Sequence, residues 1–261
     1  MKNIKSKFKN IQDKLIPLIF TCLLLTIWEI IVNIGGIPDY ILPKPSEIFG
    51  TLVNQIDVLM PHIMATLYEG VVGFIIAIFA ALFLAVIMDL VPLIKKALYP
   101  VLVISQTVPI IALAPLFIIW FGFGTLPKII VVVLVCFFPI VISITNGIES
   151  VDKDLENHFQ LMGASKIQRF IHLKLPYGMI SFFSGLKIAA TYSIMGAVVG
   201  EWLGGDKGLG VYMVRARGSY ALDKMFAAIL VIVILSIVIF YLVGLIEKVA
   251  MPWNVERRNK I

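Results

Sequence analysis

Side chains able to do covalent chemistry are few and scattered. The chain has three histidines, His62, His158 and His172, and two cysteines, Cys22 and Cys136. The histidines fall outside the long apolar runs and, by the charge pattern below, on two different sides. They cannot converge as a catalytic site requires. Both cysteines lie within apolar runs, where they read as small hydrophobes, and no disulfide is expected. No G-x-x-x-x-G-K-[ST] occurs, so the chain cannot cradle ATP phosphates in that manner. Gly204-Gly205-Asp206-Lys207-Gly208 lacks the spacing. No catalytic residue, metal site or cofactor is expected.

The chemistry left to this sequence is polar recognition at depth in apolar surroundings, where polar groups are costly and therefore informative. Ser105-Gln106-Thr107 stands near the middle of an apolar run, with Pro109 and Pro115 following. Proline removes a backbone donor and frees carbonyls, which need a partner or a water-lined cavity. That run reads as a bent, pathway-lining helix, or else as a kinked helix whose amide bonds a neighbour. Glu29 follows Trp28 within another run and is expected to hydrogen-bond a second helix rather than couple to protons. Lys187 is expected to snorkel toward a membrane surface. Small residues recur at four-residue spacing in two places, Gly73-Ala77-Ala81-Ala85 and Gly185-Ala189-Ser193-Ala197, with Gly196 and Gly200 beside the second. Such stripes allow close helix approach. They serve either generic packing or a pathway with Ser193 and Gly196 among its candidates.

Residues 149–177 carry a different pattern. Asp152 and Asp154 complement the positive end of a helix dipole, and Leu155, Phe159 and Met162 share a face. Gly163 is a natural stop. Ser165-Lys166-Ile167-Gln168 reads as a capping box opening a second helix with Ile167, Phe170 and Ile171 on its apolar side, ended by Leu175-Pro176. Two short amphipathic helices result. Their apolar sides either lie on lipid headgroups or dock a partner.

The elements that position these groups follow from composition. Of 261 residues, 60% are hydrophobic and 15% charged, and mean hydropathy is +0.98. Soluble domains run at about 45–50% apolar and about 25% charged, so this chain belongs in a bilayer. Disorder, a coiled coil and a disulfide scaffold are excluded. A membrane core needs roughly 20 apolar residues per helix. Six runs qualify: 15–36, 66–88, 97–119, 127–148, 178–200 and 225–247. Their length and lack of alternation exclude membrane β-strands. A retained first span is expected, since no small-residue cleavage site follows it in 34–40. The termini and the segments 89–96 and 149–177 then hold 15 Lys/Arg against 6 on the other side, which places them in the cytoplasm. The net charge of +6 therefore sets topology, and no nucleic-acid partner is implied. The expected architecture is an all-α membrane protein of six transmembrane helices. A cytoplasmic helix–turn–helix joins spans four and five. Residues 1–14 form a basic tail, 15–247 the membrane domain and 248–261 a second cytoplasmic tail.

The 149–177 segment also resembles the "EAA" motif of type I ABC importer permeases: Glu-Ala-Ala, three residues, Gly, nine residues, Ile, one residue, Leu-Pro. Gly163, Leu173, Leu175 and Pro176 match that spacing, and Gly163-Ala164-Ser165 is a common form. The Glu-Ala-Ala positions are occupied by Asn157, His158 and Phe159, and Glu156 stands one residue early. Further matches are Trp28-Glu29, Leu42 to Ser46, His62 to Gly73, Pro109 to Gly124, Gly185 to Ala189, Gly200-Glu201 and Gly208-Leu209-Gly210. Together they resemble the nitrate/sulfonate/taurine branch, which includes carriers of thiamine pyrimidine precursors. Gly200 through Tyr212 looks most like the pyrimidine-precursor and riboflavin-type permeases. The resemblance implies two copies of this chain, cytoplasmic ATPase subunits docking on Asn157 to Ser165 and Leu173 to Pro176, and an external binding protein delivering a small polar or anionic solute. It also makes Gly200–Lys224 a candidate outer gate, with Glu201, Gly208 and Gly210 at its core; an ordinary loop is the alternative. The rival class, an ion-coupled secondary transporter, usually needs titratable groups at mid-depth. Only Glu29 and Lys187 qualify loosely.

Overall fold

Long apolar runs with few internal breakers have one low-energy form in lipid, the α-helix, because every backbone polar group must bond within the segment. The computed structural model describes residues 2–252, with side chains from Leu15 onward. The lysine side chains of the basic tail and residues 253–261 of the second tail lie outside this description. The elements are α1 (Lys2–Gly35), α2 (Pro45–Asn54), α3 (Ile56–Leu90), α4 (Pro92–Ser105), α5 (Ile110–Phe121), α6 (Thr125–Glu149), α7 (Lys153–Leu161), α8 (Lys166–Arg169), a π turn over Phe170–Lys174, α9 (Leu175–Glu201), α10 (Leu209–Gly218) and α11 (Leu222–Ala250). No strand occurs among the described residues.

Five helical segments are long and apolar enough to cross a membrane, within α1, α3, α6, α8–α9 and α11. The third expected span is not one straight helix. It is the pair α4 and α5, bent by 102°, and it makes the count six if taken as one broken span. The break falls at Gln106–Pro109. Pro109 has no N–H and biases Val108 away from helical backbone. Pro115, also expected to bend this run, sits inside an unbroken α5. The pair still runs alongside α6: Lys95 pairs with Glu149, and Tyr99 donates to Asn146 at 3.2 Å. At the other end α5 leads into α6 through Gly122 (φ +77°) and Gly124 (φ +147°).

The chain divides into two compact units, one running to Leu59 with Tyr212–Leu230 and one of Met60–Val211 with the chain from Val231. In the first, Glu29 accepts hydrogen bonds from Ser46, at 2.7 Å from Oγ and 3.1 Å from the backbone N–H. The carboxylate thus caps the start of α2, as expected of a structural bond to a second helix. Trp28 meets Phe226 edge-on at 5.8 Å, and Thr51 donates to Asp223 at 2.8 Å. Tyr212 donates to Gln55 at 3.1 Å; burial first, then the nearby Asp223, pushes its phenol above the usual tyrosine range.

The second unit is built on α9, the most buried of the spans. Its small stripe packs chiefly against α6. A Cβ on Gly185 would lie 2.6 Å from Ser143 Cβ and 2.7 Å from the Pro139 carbonyl, and one on Gly147 would lie 2.5 Å from Ser181 Cβ. Glycine on both faces brings the two backbones together, which supplies the dispersion contact that lipid cannot. The α3 stripe is buried as well: Ala77, Ala81 and Ala85 are inaccessible, and Gly73 abuts Val132 of α6. Cys136 is buried and donates to the Ala189 carbonyl at 3.3 Å. Cys22 is exposed on α1. Lys187 pairs with Glu247, near the C-terminal end of α11. Much of the apolar surface of α1 and α11 stays open, as lipid-facing helices require.

Candidate functional site

Three polar regions stand out, all in the second unit. The first is the connection between α6 and α9. Asp152 caps α7, accepting from Asp154 N–H at 2.9 Å. Gly163 ends that turn at φ +79°, a backbone that disfavours other residues. Ser165 and Gln168 close the expected capping box at 3.2 and 2.8 Å. The second short helix does not stop at Leu175-Pro176, however. It passes through the π turn, with Leu175 N–H bonding the Phe170 carbonyl, directly into α9. Proline clashes with the carbonyl four residues back, and the wider turn accommodates it. α8 is thus continuous with α9 in the backbone.

Glu156, one residue before the motif's glutamate position, is ion-paired within the segment. It pairs with Lys174 at 3.2 Å and Arg169 at 3.5 Å, while Lys174 also pairs with Asp89 of α3 at 3.0 Å. Arg169 bonds Gln160 at 3.2 Å. Asn157 and His158 are exposed, Phe159 and Ala164 half-buried, and Leu173 buried, with Leu175 and Pro176 opening α9. The tip is apolar and open: Leu161 is 85% exposed, Met162 79% and Ile167 62%.

The second region closes around Glu201, the last residue of α9. Its carboxylate accepts from Thr66 Oγ1 and from Gly210 N–H, each at 2.6 Å. Thr66 Oγ1 accepts from Leu209 N–H at 2.8 Å, and His62 Nδ1 lies 2.9 Å from the Gly208 carbonyl. A side chain at Gly208 would collide with the Glu201 carboxyl, and a Cβ on Gly210 would lie 2.6 Å from the Val198 carbonyl. Beside them Lys128 of α6 pairs with Glu69 of α3 at 2.9 Å, with side chains 6% and 1% exposed, and reaches the Lys207 carbonyl at 3.3 Å. The structure thus unites Glu201, Gly208 and Gly210 and adds four residues absent from that set: His62, Thr66, Glu69 and Lys128. Their signal was present. His62, Thr66 and Glu69 fall at i, i+4 and i+7, one helical face.

The third region is the break between α4 and α5. Ser105 and Gln106 line a cavity of about 430 Å³ there. Thr107 bonds back to the Ile104 carbonyl at 2.7 Å. Ser193 and Gly196 do not join this cavity. Ser193 is buried and donates to the Ala190 carbonyl at 2.8 Å, and a Cβ on Gly196 would lie 3.3 Å from Val132 Cα. Among the described residues no His, Cys, Asp and Glu group is arranged to hold a metal ion.

The sequence is similar to those of known proteins. The chain is 37% identical to the formylaminopyrimidine transport permease protein ThiX of Halalkalibacterium halodurans, over 94% of this chain and 98% of that protein. It is 33% identical to the riboflavin transport system permease protein RibX of Chloroflexus aurantiacus, over 89% and 87%. It is 29% identical to the taurine transport system permease protein TauC of Escherichia coli, over 89% and 87%. Residues 73–250 match the family of binding-protein-dependent transport system inner membrane components. Proteins of this kind are multi-pass permease subunits rather than enzymes, and they work with an ATPase and a solute-binding protein. By that match and these identities, the chain belongs to the binding-protein-dependent transport system inner membrane components, the permeases of ABC importers.

Proposed function

We propose that two copies of this chain form the pathway of an importer and that residues 152–173 are the mechanical link to its ATPases. The open apolar tip at Leu161, Met162 and Ile167 carries this reading. It sits on a capped loop that continues without a break into α9 and is ion-paired to α3 through Lys174. ATP-driven movement of a subunit docked there would shift both helices together. Differential contact with two states is what a nucleotide cycle must provide. Asn157, His158, Phe159, Gly163, Ala164, Ser165, Leu173, Leu175 and Pro176 form or support the docking surface. The Lys/Arg bias puts this segment and both termini in the cytoplasm, with 15–247 as the membrane domain. The Glu201–Gly208–Gly210 knot then faces outward and fastens the loop after α9 as a gate. Ser105, Gln106, Thr107, Ser193 and Gly196 belong to the segments that line or support the pathway. The cargo is a small solute delivered by an external binding protein, of the pyrimidine-precursor or riboflavin class that similar permeases suggest.

Reconstitution tests this. Uptake into proteoliposomes should need the co-purified ATPase, ATP and the binding protein. Uptake by this chain alone on a proton or sodium gradient would replace the importer with a secondary transporter. Gly163→Asp should leave the permease in the membrane yet uncouple hydrolysis from uptake; an unaffected variant refutes the docking role.

A further inference from the structure

The break between α4 and α5 holds a feature that the importer reading does not use. Among the described residues, no hydrogen bond reaches the carbonyls of Gln106, Thr107 or Val108. Three successive free carbonyls at the middle of an apolar pair are tolerated only where protein or a polar-lined cavity receives them. A cavity of about 430 Å³ adjoins the break, lined there by Ser105, Gln106, Val108 and Pro109. Opposite stand Phe138 of α6 and Tyr192 of α9. None of the lining side chains carries a charge. The Gln106 amide and the Tyr192 hydroxyl make no hydrogen bond among the described residues.

The geometry points to a transit site for an uncharged, flat, N–H-bearing heterocycle at the α4–α5 break. Aromatic and apolar walls accept a ring face. Free carbonyls accept N–H donors, and an amide offers both a donor and an acceptor. Gln106 and Val108, which carry two of these carbonyls, line the cavity, and no cation lines it to offset their dipoles. A sulfonate or nitrate would therefore be repelled here, so the site discriminates within the range of solutes this family carries. The inference deepens the importer reading and rests on it.

Alkylation protection tests it on the permease–ATPase complex in nanodiscs. Leu113, on the cavity wall, is replaced by cysteine in a Cys22→Ser background; Cys136 is buried and stays. Val135→Cys, on the same wall, is the second reporter should Leu113→Cys fail to assemble. Formylaminopyrimidine or riboflavin should slow labelling by N-ethylmaleimide, while taurine and nitrate leave it unchanged. Gln106→Leu should raise the half-protecting concentration about fivefold, as loss of one neutral hydrogen bond implies. Protection by taurine or nitrate to the same degree, or by neither heterocycle, overturns the proposal. Uptake by the same complexes, reconstituted into proteoliposomes with the binding protein, separates the two levels. ATP-dependent uptake without protection leaves the importer standing and removes the site; ATP-independent uptake removes the importer itself.

Discussion

The buried pair Lys128–Glu69 offers the sharpest energetic test of this architecture. Nζ and Oε1 are 2.9 Å apart and both side chains are nearly inaccessible. Glu201, also buried, feels the charge of each. Lys128→Met removes the cation facing two buried carboxylates. Breaking such a pair from one side costs about 3–5 kcal/mol. For a chain of this size each kcal/mol moves Tm by about 2–4 °C, so the midpoint should fall by roughly 6–20 °C. Glu69→Gln should cost less, about 1–3 kcal/mol. It leaves Lys128 with the Lys207 carbonyl at 3.3 Å and Glu201 close by. The double replacement Lys128→Met/Glu69→Leu removes both charges from the interior, and its midpoint should recover to within about 2 kcal/mol of the starting protein. Intrinsic fluorescence during thermal unfolding of the permease–ATPase complex reads all four midpoints. A Lys128→Met midpoint equal to that of the unaltered protein would refute the reasoning. So would a double variant no more stable than the lysine variant.

Three further outcomes are expected. Gly185→Val places a Cβ 2.7 Å from the Pro139 carbonyl, a backbone atom that cannot turn aside; overpacking of about 1–3 kcal/mol should appear as a lower unfolding midpoint, whereas Gly50→Ala, with open space around it, should not lower it. Gly163 also has open space around it but φ +79°, so its constraint is conformational: Gly163→Val should impair ATPase coupling more than Gly163→Asn, because asparagine tolerates left-handed backbone, and equal impairment would mean that bulk rather than backbone matters. Tyr212 is an acid whose folded pKa is raised by burial and Asp223. Its contribution is complete below the unfolded value of about 10 and is lost as pH rises through the higher folded value. Tyr212→Phe should flatten the alkaline arm of the stability–pH curve, and an unchanged arm would place that sensitivity elsewhere.

Local and compositional features were legible in the amino-acid order. Apolar run length dictated the spans, because a bilayer allows one backbone solution for such runs. The Asp152 cap, the Gly163 turn and the Ser165–Gln168 box were equally readable, since their partners lie within three residues. Sequence resemblance carried the family. The tertiary structure decided the rest. Lys128 meets Glu69 across 59 positions and Lys187 meets Glu247 across 60, distances over which no local pattern reports. Small stripes on two spans marked both as packing surfaces but could not say that α9 pairs mainly with α6, because the partner glycine, Gly147, stands alone in its run. Nor could proline count locate the break. Pro17, Pro61, Pro100, Pro115 and Pro139 all lie inside unbroken helices. At Pro109 two side chains just upstream, Ser105 and Thr107, bond back to the carbonyls of Leu102 and Ile104 and compete with the helix. The missing proline N–H and these back-bonds act together, and their joint effect shows only once the folded backbone is in place.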